Sequence, residues 1–439
     1  MPPSISTNSL PSPKPPRAAA MPFYPPEPAE YLHSTWAFRF SALVFVVLMT
    51  KYVNVLVHGY LGTVVLSGFA VLIAMMENSA TAVFNNVLRN VRRNQLLILL
   101  AFWYAIGVFC KMFLMGESES DWRFVTAPML LLLGLLFGLA FLQEERCNRN
   151  FQVWTIMAVG VWAVFAGNAI TANTGEVRTT VEETYGGWSF GDPGGYALLM
   201  ILLPIFVWRA IAERGVLRIV LLICCAAICR VGIFCQFATP LGLLLFSLLV
   251  ALLLATLYLR RGRLVSYVLV VGLILFASVL LFRTMKRVDR MAMANERVMN
   301  AWEDPQSGGY TAKYEKEGSR WLLAGISYKT FLESPFFGAS GGSGSIRHSS
   351  KVGGHSAFFD MLGFYGLLGG GGAFIIMLLM MLARAFLRLH RQRNLESVAV
   401  ATSIIALIAA GIVNPYWEGE TVVMVFLFGR LFSFPQEHS

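Results

Sequence analysis

The strongest constraint on this chain is a recurrence. Apolar runs return along its length near 37–57, 59–77, 96–115, 126–143, 152–170, 194–211, 216–234, 239–258, 264–283, 356–385, 397–414 and 420–434. Each is close to the ~20 residues a helix needs to cross ~30 Å of hydrocarbon. Only 14% of the 439 residues are charged and 56% are hydrophobic, a balance that a soluble chain of this length does not carry. The expected fold class is an all-α polytopic membrane protein with about twelve transmembrane helices.

The arginines test that count. One alternating set of loops holds Arg89, Arg92 and Arg93; Arg146 and Arg149; Arg209, Arg214 and Arg218; Arg260, Arg261 and Arg263; and Arg384, Arg388, Arg391 and Arg393. The opposite set holds Glu117, Glu119, Asp121, Glu176, Glu182, Glu183, Glu418 and Glu420. The positive-inside rule makes the first set cytoplasmic, with both termini. The formal charge of +10 is thus spent on topology, and no nucleic acid partner is expected.

Four regions follow. Residues 1–35 form a cytoplasmic tail. Residues 1–30 hold ten of the 18 prolines, a composition that cannot bury a core and is expected to be disordered. The tail lacks the order of a cleavable signal, so the run at 37–57 is expected to be a retained span. Residues 36–283 carry spans one to nine, residues 284–355 form a large outer loop, and residues 356–439 carry spans ten to twelve. The six cysteines have neither metal-ligand nor disulfide-framework spacing and are expected to be unpaired.

Arg123, Arg178 and Arg230 fall on the outer side, against the charge bias. A surface charge or a headgroup contact explains each of them; so does an anionic ligand on that face. In the outer loop, 284–303 interleaves Met285, Val288, Met291, Val298, Met299 and Trp302 with charge, as a helix resting on a membrane surface does. A second amphipathic helix opens at Arg320, carries Ile326, Phe331 and Leu332 on one apolar face, and stops at Pro335 and Gly338. Its arginine suits a phosphate, because the guanidinium is planar, bidentate and always charged.

Six glycines lie between Gly338 and Gly354, around Arg347 and His348. Such a loop lets backbone N–H groups approach a ligand, or is simply flexible. His355 then sits at the start of the tenth span. A helix N-terminus disfavours imidazolium and keeps the ring a neutral base, able to take a proton from a hydroxyl. A helix cap or an interfacial anchor also explains it. Asp360, five residues on, is off that helical face and is expected to face another span. Lys111 is expected to sit near a span end and snorkel outward.

The arginine-led helix, Ser334-Pro335-Phe336-Phe337-Gly338, the glycine-rich loop, and Gly353-Gly354-His355-Ser356 followed by Gly363, Gly366 and Gly369 resemble the shared region of bacterial O-antigen ligases and polymerases. The resemblance covers about fifty residues closely. It implies a GT-C-type membrane glycosyltransferase with its large periplasmic loop between spans nine and ten. It implies transfer of O-antigen from an undecaprenyl diphosphate-linked donor to lipid A–core, at the periplasmic face of the bacterial inner membrane, with no cofactor and no metal. His355 matches the family's general base and Arg320 its diphosphate-holding arginine. The family's second arginine follows a serine; here Arg230 follows Cys229 and is the best match, with Arg178 in reserve. Arg347 and His348 are further donor-site candidates. The physics is compatible, since guanidinium groups stabilise the charge that develops on a leaving diphosphate.

Three alternatives stand beside the ligase. An O-antigen polymerase shares the histidine motif, and a protein O-glycosylating ligase is a further relative. A multi-span transporter is the rival from another class, expected to show internal repeats and helices broken near the bilayer midplane.

Overall fold

The computed structural model describes residues 60–114, 122–172, 193–234, 238–260, 320–339 and 356–413, with scattered positions in 36–44, 262–274 and 422–429. The described residues are helical, without strands. The helices are α1 (Tyr60–Met76), α2 (Ala80–Arg93), α3 (Gln95–Leu114), α4 (Trp122–Ala140), α5 (Glu145–Ala172), α6 (Pro193–Ala212), α7 (Gly215–Phe234), α8 (Ala238–Tyr258), α9 (Arg320–Glu333), α10 (Ala357–Tyr365), α11 (Gly371–Gln392) and α12 (Leu395–Val413).

Five of these, α6, α7, α8, α11 and α12, are long and apolar enough to cross a membrane; the pair α1–α2, bent by 115°, adds a sixth if read as one span. The protein is membrane-embedded and all-helical in the part described. The runs near 59–77, 96–115, 126–143 and 152–170 form α1, α3, α4 and α5. The runs at 37–57, 264–283 and 420–434 are described only at scattered positions, each helical. The tail at 1–30 and the stretch at 284–303 lie outside the described residues.

The bundle is organised around α6. Its apolar stretch is 83% buried, against 33% for α8 at the periphery. Helices α7, α8 and α12 pack directly on it, and α5 lies against α7. A helix apolar all round belongs in the middle of a membrane bundle, where protein covers every side.

Two segments depart from the sequence reading. Residues 80–93 are a helix rather than a loop. Ser79 caps it, its Oγ accepting from the Ala82 N–H at 3.5 Å. Val83, Val87, Asn90 and Val91 turn inward while Arg89, Arg92 and Arg93 stay exposed, which makes α2 an amphipathic helix across the end of the bundle. The apolar run at 356–385 is not one helix. It breaks at Gly366–Gly370 into a nine-residue α10 and a 22-residue α11.

The arginine loops meet at one end. Arg384 Nη1 donates to Asn94 Oδ1 at 2.7 Å, and Asn90 Nδ2 donates to the Leu139 carbonyl at 2.7 Å. Arg149 makes a two-pronged contact with Glu213 at 2.7 and 2.5 Å. Buried Arg209 donates from Nε to Gln152 Oε1 at 2.6 Å, while Gln152 Nε2 reaches the Phe428 carbonyl at 2.9 Å. Arg388 binds Glu396 at 2.5 Å and the Gly429 carbonyl at 3.2 Å. The ion pairs that Arg149 and Arg209 make with Glu213, Arg209 with Glu145, and Arg388 with Glu396 belong to this end. The alternation of charge along the sequence therefore has a counterpart in space.

Candidate functional site

At the other end, α9 and α10 lie side by side. Ser327 Oγ donates to Asp360 Oδ1 at 2.5 Å, and the rings of Tyr328 and Phe359 meet edge-to-face at 6.0 Å. Further along, the Leu367 N–H donates to the Pro335 carbonyl at 2.9 Å and the Leu368 N–H to the Phe336 carbonyl at 2.8 Å. The residue offset between partners stays nearly constant, so the two helices run parallel. Arg320, the first residue of α9, and Ser356, the N-cap of α10, are therefore at the same end of adjacent helices.

Asp360 fixes that arrangement. Its second oxygen accepts the Ser356 N–H at 3.1 Å, so one carboxylate holds the start of α10 and the flank of α9 together. It faces α9, which corrects the expectation that it faces another span. Ser356 Oγ donates to the Gly411 carbonyl at 3.5 Å, tying the start of α10 to the end of α12.

The buried face of α9 is also not the expected one. Ala324, Ser327 and Thr330 are buried, whereas Leu332 is 58% exposed and Ile326 is exposed too. Small and hydroxyl side chains let the two backbones approach, and the apolar side turns outward. This is the common pattern where lipid rather than water surrounds a helix.

The lower ends of both helices terminate in a backbone junction. Besides the two contacts to 335 and 336, the Gly369 N–H donates to the Phe336 carbonyl at 3.2 Å and the Ala339 N–H to the Gly363 carbonyl at 2.8 Å. Gly338 (φ +71°) and Gly366 (φ +62°) adopt left-handed conformations that favour glycine. A Cβ at Gly338 would stand 2.2 Å from the Phe364 carbonyl oxygen, and one at Gly366 would stand 2.6 Å from the Gly338 nitrogen. Gly369 touches Gly107 of α3, where a Cβ would meet the Gly369 carbonyl at 2.3 Å. Trp103 Nε1 donates to the Leu368 carbonyl at 2.9 Å. Trp103 and Gly107 stand roughly 12–18 Å along α3 from Gln95, so the junction lies about halfway along that helix. The Pro-x-x-Gly turn and the Gly-x-x-Gly spacing thus form one contact.

Lys111 lies in the last turn of α3, near the helix end as expected, but its side chain departs from the expectation. It is 7% exposed, with Nζ 5.4 Å from the Phe364 ring centre and 5.5 Å from that of Tyr365. It does not snorkel outward. Its ammonium lies over aromatic faces at the C-terminal end of α10, where the helix dipole and the rings both favour a cation.

Of the candidate residues, Arg230 is described with its side chain. It is buried, roughly 22 Å along α7 from Gly215, hence at the end opposite the ion network. Its helix packs on α5, α6 and α8, whereas α10 packs on α9, α11, α12 and α3. Arg320 is described as the start of α9. Arg178, Arg347, His348 and His355 lie outside the described residues. Cys110, Cys147, Cys224, Cys225 and Cys229 form no disulfide. Among the described residues, no group of three or more His, Cys, Asp or Glu is placed to hold a metal ion.

Ser327, Thr330 and the buried position of Lys111 were not picked out from sequence. A signal existed for the first two: Ala324, Ser327 and Thr330 repeat at three-residue spacing, a small-and-hydroxyl stripe. The described residues define a membrane-embedded helical bundle with an ion-paired end and, opposite it, a pair of short parallel helices. No protein-family model matches the chain, and no curated protein matches it significantly.

Proposed function

We propose that the chain is an O-antigen ligase, a GT-C-type glycosyltransferase of about twelve spans in the bacterial inner membrane. It transfers a glycan from undecaprenyl diphosphate to lipid A–core at the periplasmic face. The observation that supports this reading is the parallel register of α9 and α10. It brings Arg320 and Ser356, the residue after His355, to one end of neighbouring helices, opposite the arginine-rich end. Two helix N-termini with an arginine form a positive environment suited to a diphosphate.

In this reading His355 takes the proton of the acceptor hydroxyl. The hydroxyl oxygen attacks the anomeric carbon of the donor, and the bond from that carbon to the diphosphate oxygen breaks. Undecaprenyl diphosphate leaves with the electron pair, its charge held by Arg320. Arg230, Arg178, Arg347 and His348 are the candidates for the remaining donor contacts, and guanidinium groups rather than a metal ion carry the charge. Attack opposite the leaving group inverts the anomeric centre.

The test is complementation of a ligase-deficient strain with wild type and His355→Ala at matched membrane levels. The reading expects wild type to restore the O-antigen ladder on lipid A–core and the variant to fail. Restoration only in a polymerase-deficient strain transfers the assignment to the polymerase. Equal behaviour of the two proteins removes His355 from the chemistry.

One observation favours the transporter alternative. The break between α10 and α11, with Lys111 buried beside it, is a discontinuous helix of the sort that transporters place near the midplane. Export of the lipid-linked glycan without any transfer product would favour it.

A further inference from the structure

We infer that α9 is a re-entrant helix: it enters the hydrocarbon from the end opposite the arginines, stops near the middle of the bilayer, and walls off a water-filled cleft from the surrounding lipid. The inference is independent of the chemistry proposed above.

Depth comes from three helices. Ser356 is bonded to Gly411, roughly 24 Å along α12 from Leu395, so α10 starts near the outer end. The Gly366–Gly370 break touches Trp103, Tyr104 and Gly107, near the midpoint of the 20-residue α3. The Pro335–Gly338 turn is bonded to that break. Because α9 runs parallel to α10, its first residue is outermost and its last turn is deepest. A helix lying flat on the membrane would hold all its residues at one depth.

The backbone tolerates this depth. Irregular chain within hydrocarbon must satisfy its polar groups internally. The two turns do so with each other, through the contacts of Leu367, Leu368, Gly369 and Ala339, while Trp103 takes the Leu368 carbonyl.

The exposed side of α9 has two flanks. Tyr328 and Leu332 lie on one, followed by Phe336 and Phe337 in the turn, all exposed. Leu368 beside them is hydrogen-bonded to Trp103, whose helix exposes Phe102 and Ile106. The apolar flank therefore continues the lipid-facing side of α3, and acyl chains are its partner. Lys329 and Glu333, four residues apart, are exposed on the other flank, with Ile326 exposed one turn nearer the start of the helix. Charged groups at membrane depth face protein or water-filled cavities rather than lipid. Water on that flank accounts for both.

Nitroxide labels test the wall in the full chain reconstituted in phosphatidylcholine–phosphatidylglycerol vesicles. Cys110 and Cys235 are first replaced by serine, and labels are placed singly at 328, 329, 332, 333 and 337. Oxygen and a neutral nickel chelate report lipid and water contact respectively. Depth is expected to increase from 328 through 332 to 337, with 337 near the bilayer centre. Labels at 329 and 333 are expected to meet the nickel chelate several-fold more often than the label at 332. Equal depth at 328, 332 and 337 would overturn the re-entrant path. Equal oxygen exposure at 329, 332 and 333 would remove the cleft. A label at Leu368 is the second reporter if the 337 variant does not fold; it is expected at mid-bilayer depth, and a shallow reading there contradicts the proposal equally.

Discussion

The arginine end of this bundle and the α9–α10 junction within it solve the same problem by opposite means. At the arginine end, polar groups are joined by long side chains. Arg149 and Arg209 converge on Glu213, and Arg388 binds Glu396. At the α9–α10 junction, backbone meets backbone, and glycines permit the approach. The difference follows from the surroundings. Near water, charges cost little to place and a long side chain is free to find a partner. In hydrocarbon each unsatisfied peptide group costs several kcal/mol, so the chain pairs its own backbone. The first solution tolerates change at its exposed members. The second depends on missing Cβ atoms.

The largest expected effect therefore lies in the glycines. Gly366→Ala and Gly338→Ala each force a Cβ into backbone in a left-handed conformation. Each is expected to cost about 4 kcal/mol or more, seen as loss of monodisperse protein on size exclusion in detergent. Gly68→Ala in α1 has open space around it and is expected to change stability by less than about 1 kcal/mol. Similar effects at all three positions would erase the distinction between the junction and an ordinary helix.

Next comes Glu213, which is buried between two arginines. Glu213→Ala leaves Arg209 buried without this carboxylate and is expected to cost about 3 kcal/mol in thermal unfolding. Arg149→Ala is expected to cost at most about 1 kcal/mol, because that side chain is half exposed and screened. The bonded Arg149 guanidinium holds the Glu213 carboxyl below its usual value of 4.5. A lowered carboxyl pKa contributes stability that is complete above the unfolded value and is lost as pH falls below it. Wild type is thus expected to lose melting temperature as pH drops below about 4.5, and Glu213→Gln to lose less over the same range.

Smaller still is Ser327→Ala. It removes one hydrogen bond to Asp360 and leaves the Ser356 contact, at an expected cost of about 1–2 kcal/mol. Under the proposed function it lowers transfer more than it lowers stability, because the offset between α9 and α10 relaxes. A fall in activity no larger than the fall in folded protein would reduce the bond to a structural one.

The same contrast explains what could be read from sequence. Apolar runs and alternating arginines were legible, since hydrophobic length and loop charge report membrane crossing directly. The break at Gly366–Gly370 was not, because its Leu367-Leu368 pair and glycines sit inside an unbroken apolar run. The buried face of α9 was misjudged by a rule suited to water: Leu332 faces outward and Ser327 inward. Lys111 was legible as a residue near a helix end, but only the fold shows Phe364 and Tyr365 beneath its ammonium. At the candidate site, Arg320 was legible by its place at the start of the helix. Its adjacency to the start of α10 needed Ser327 and Asp360, thirty-three residues apart.

The most direct measurement uses purified full-length protein, an undecaprenyl diphosphate-linked glycan and lipid A–core, with wild type, His355→Ala and Arg320→Ala assayed across pH. The account predicts a glycan–lipid A–core product from wild type and loss of about a hundredfold or more for His355→Ala. It also predicts that the acid limb of the wild-type profile, set by protonation of the base, is absent from the residual activity of that variant. Product formed equally by wild type and His355→Ala, with the same pH profile, would contradict it.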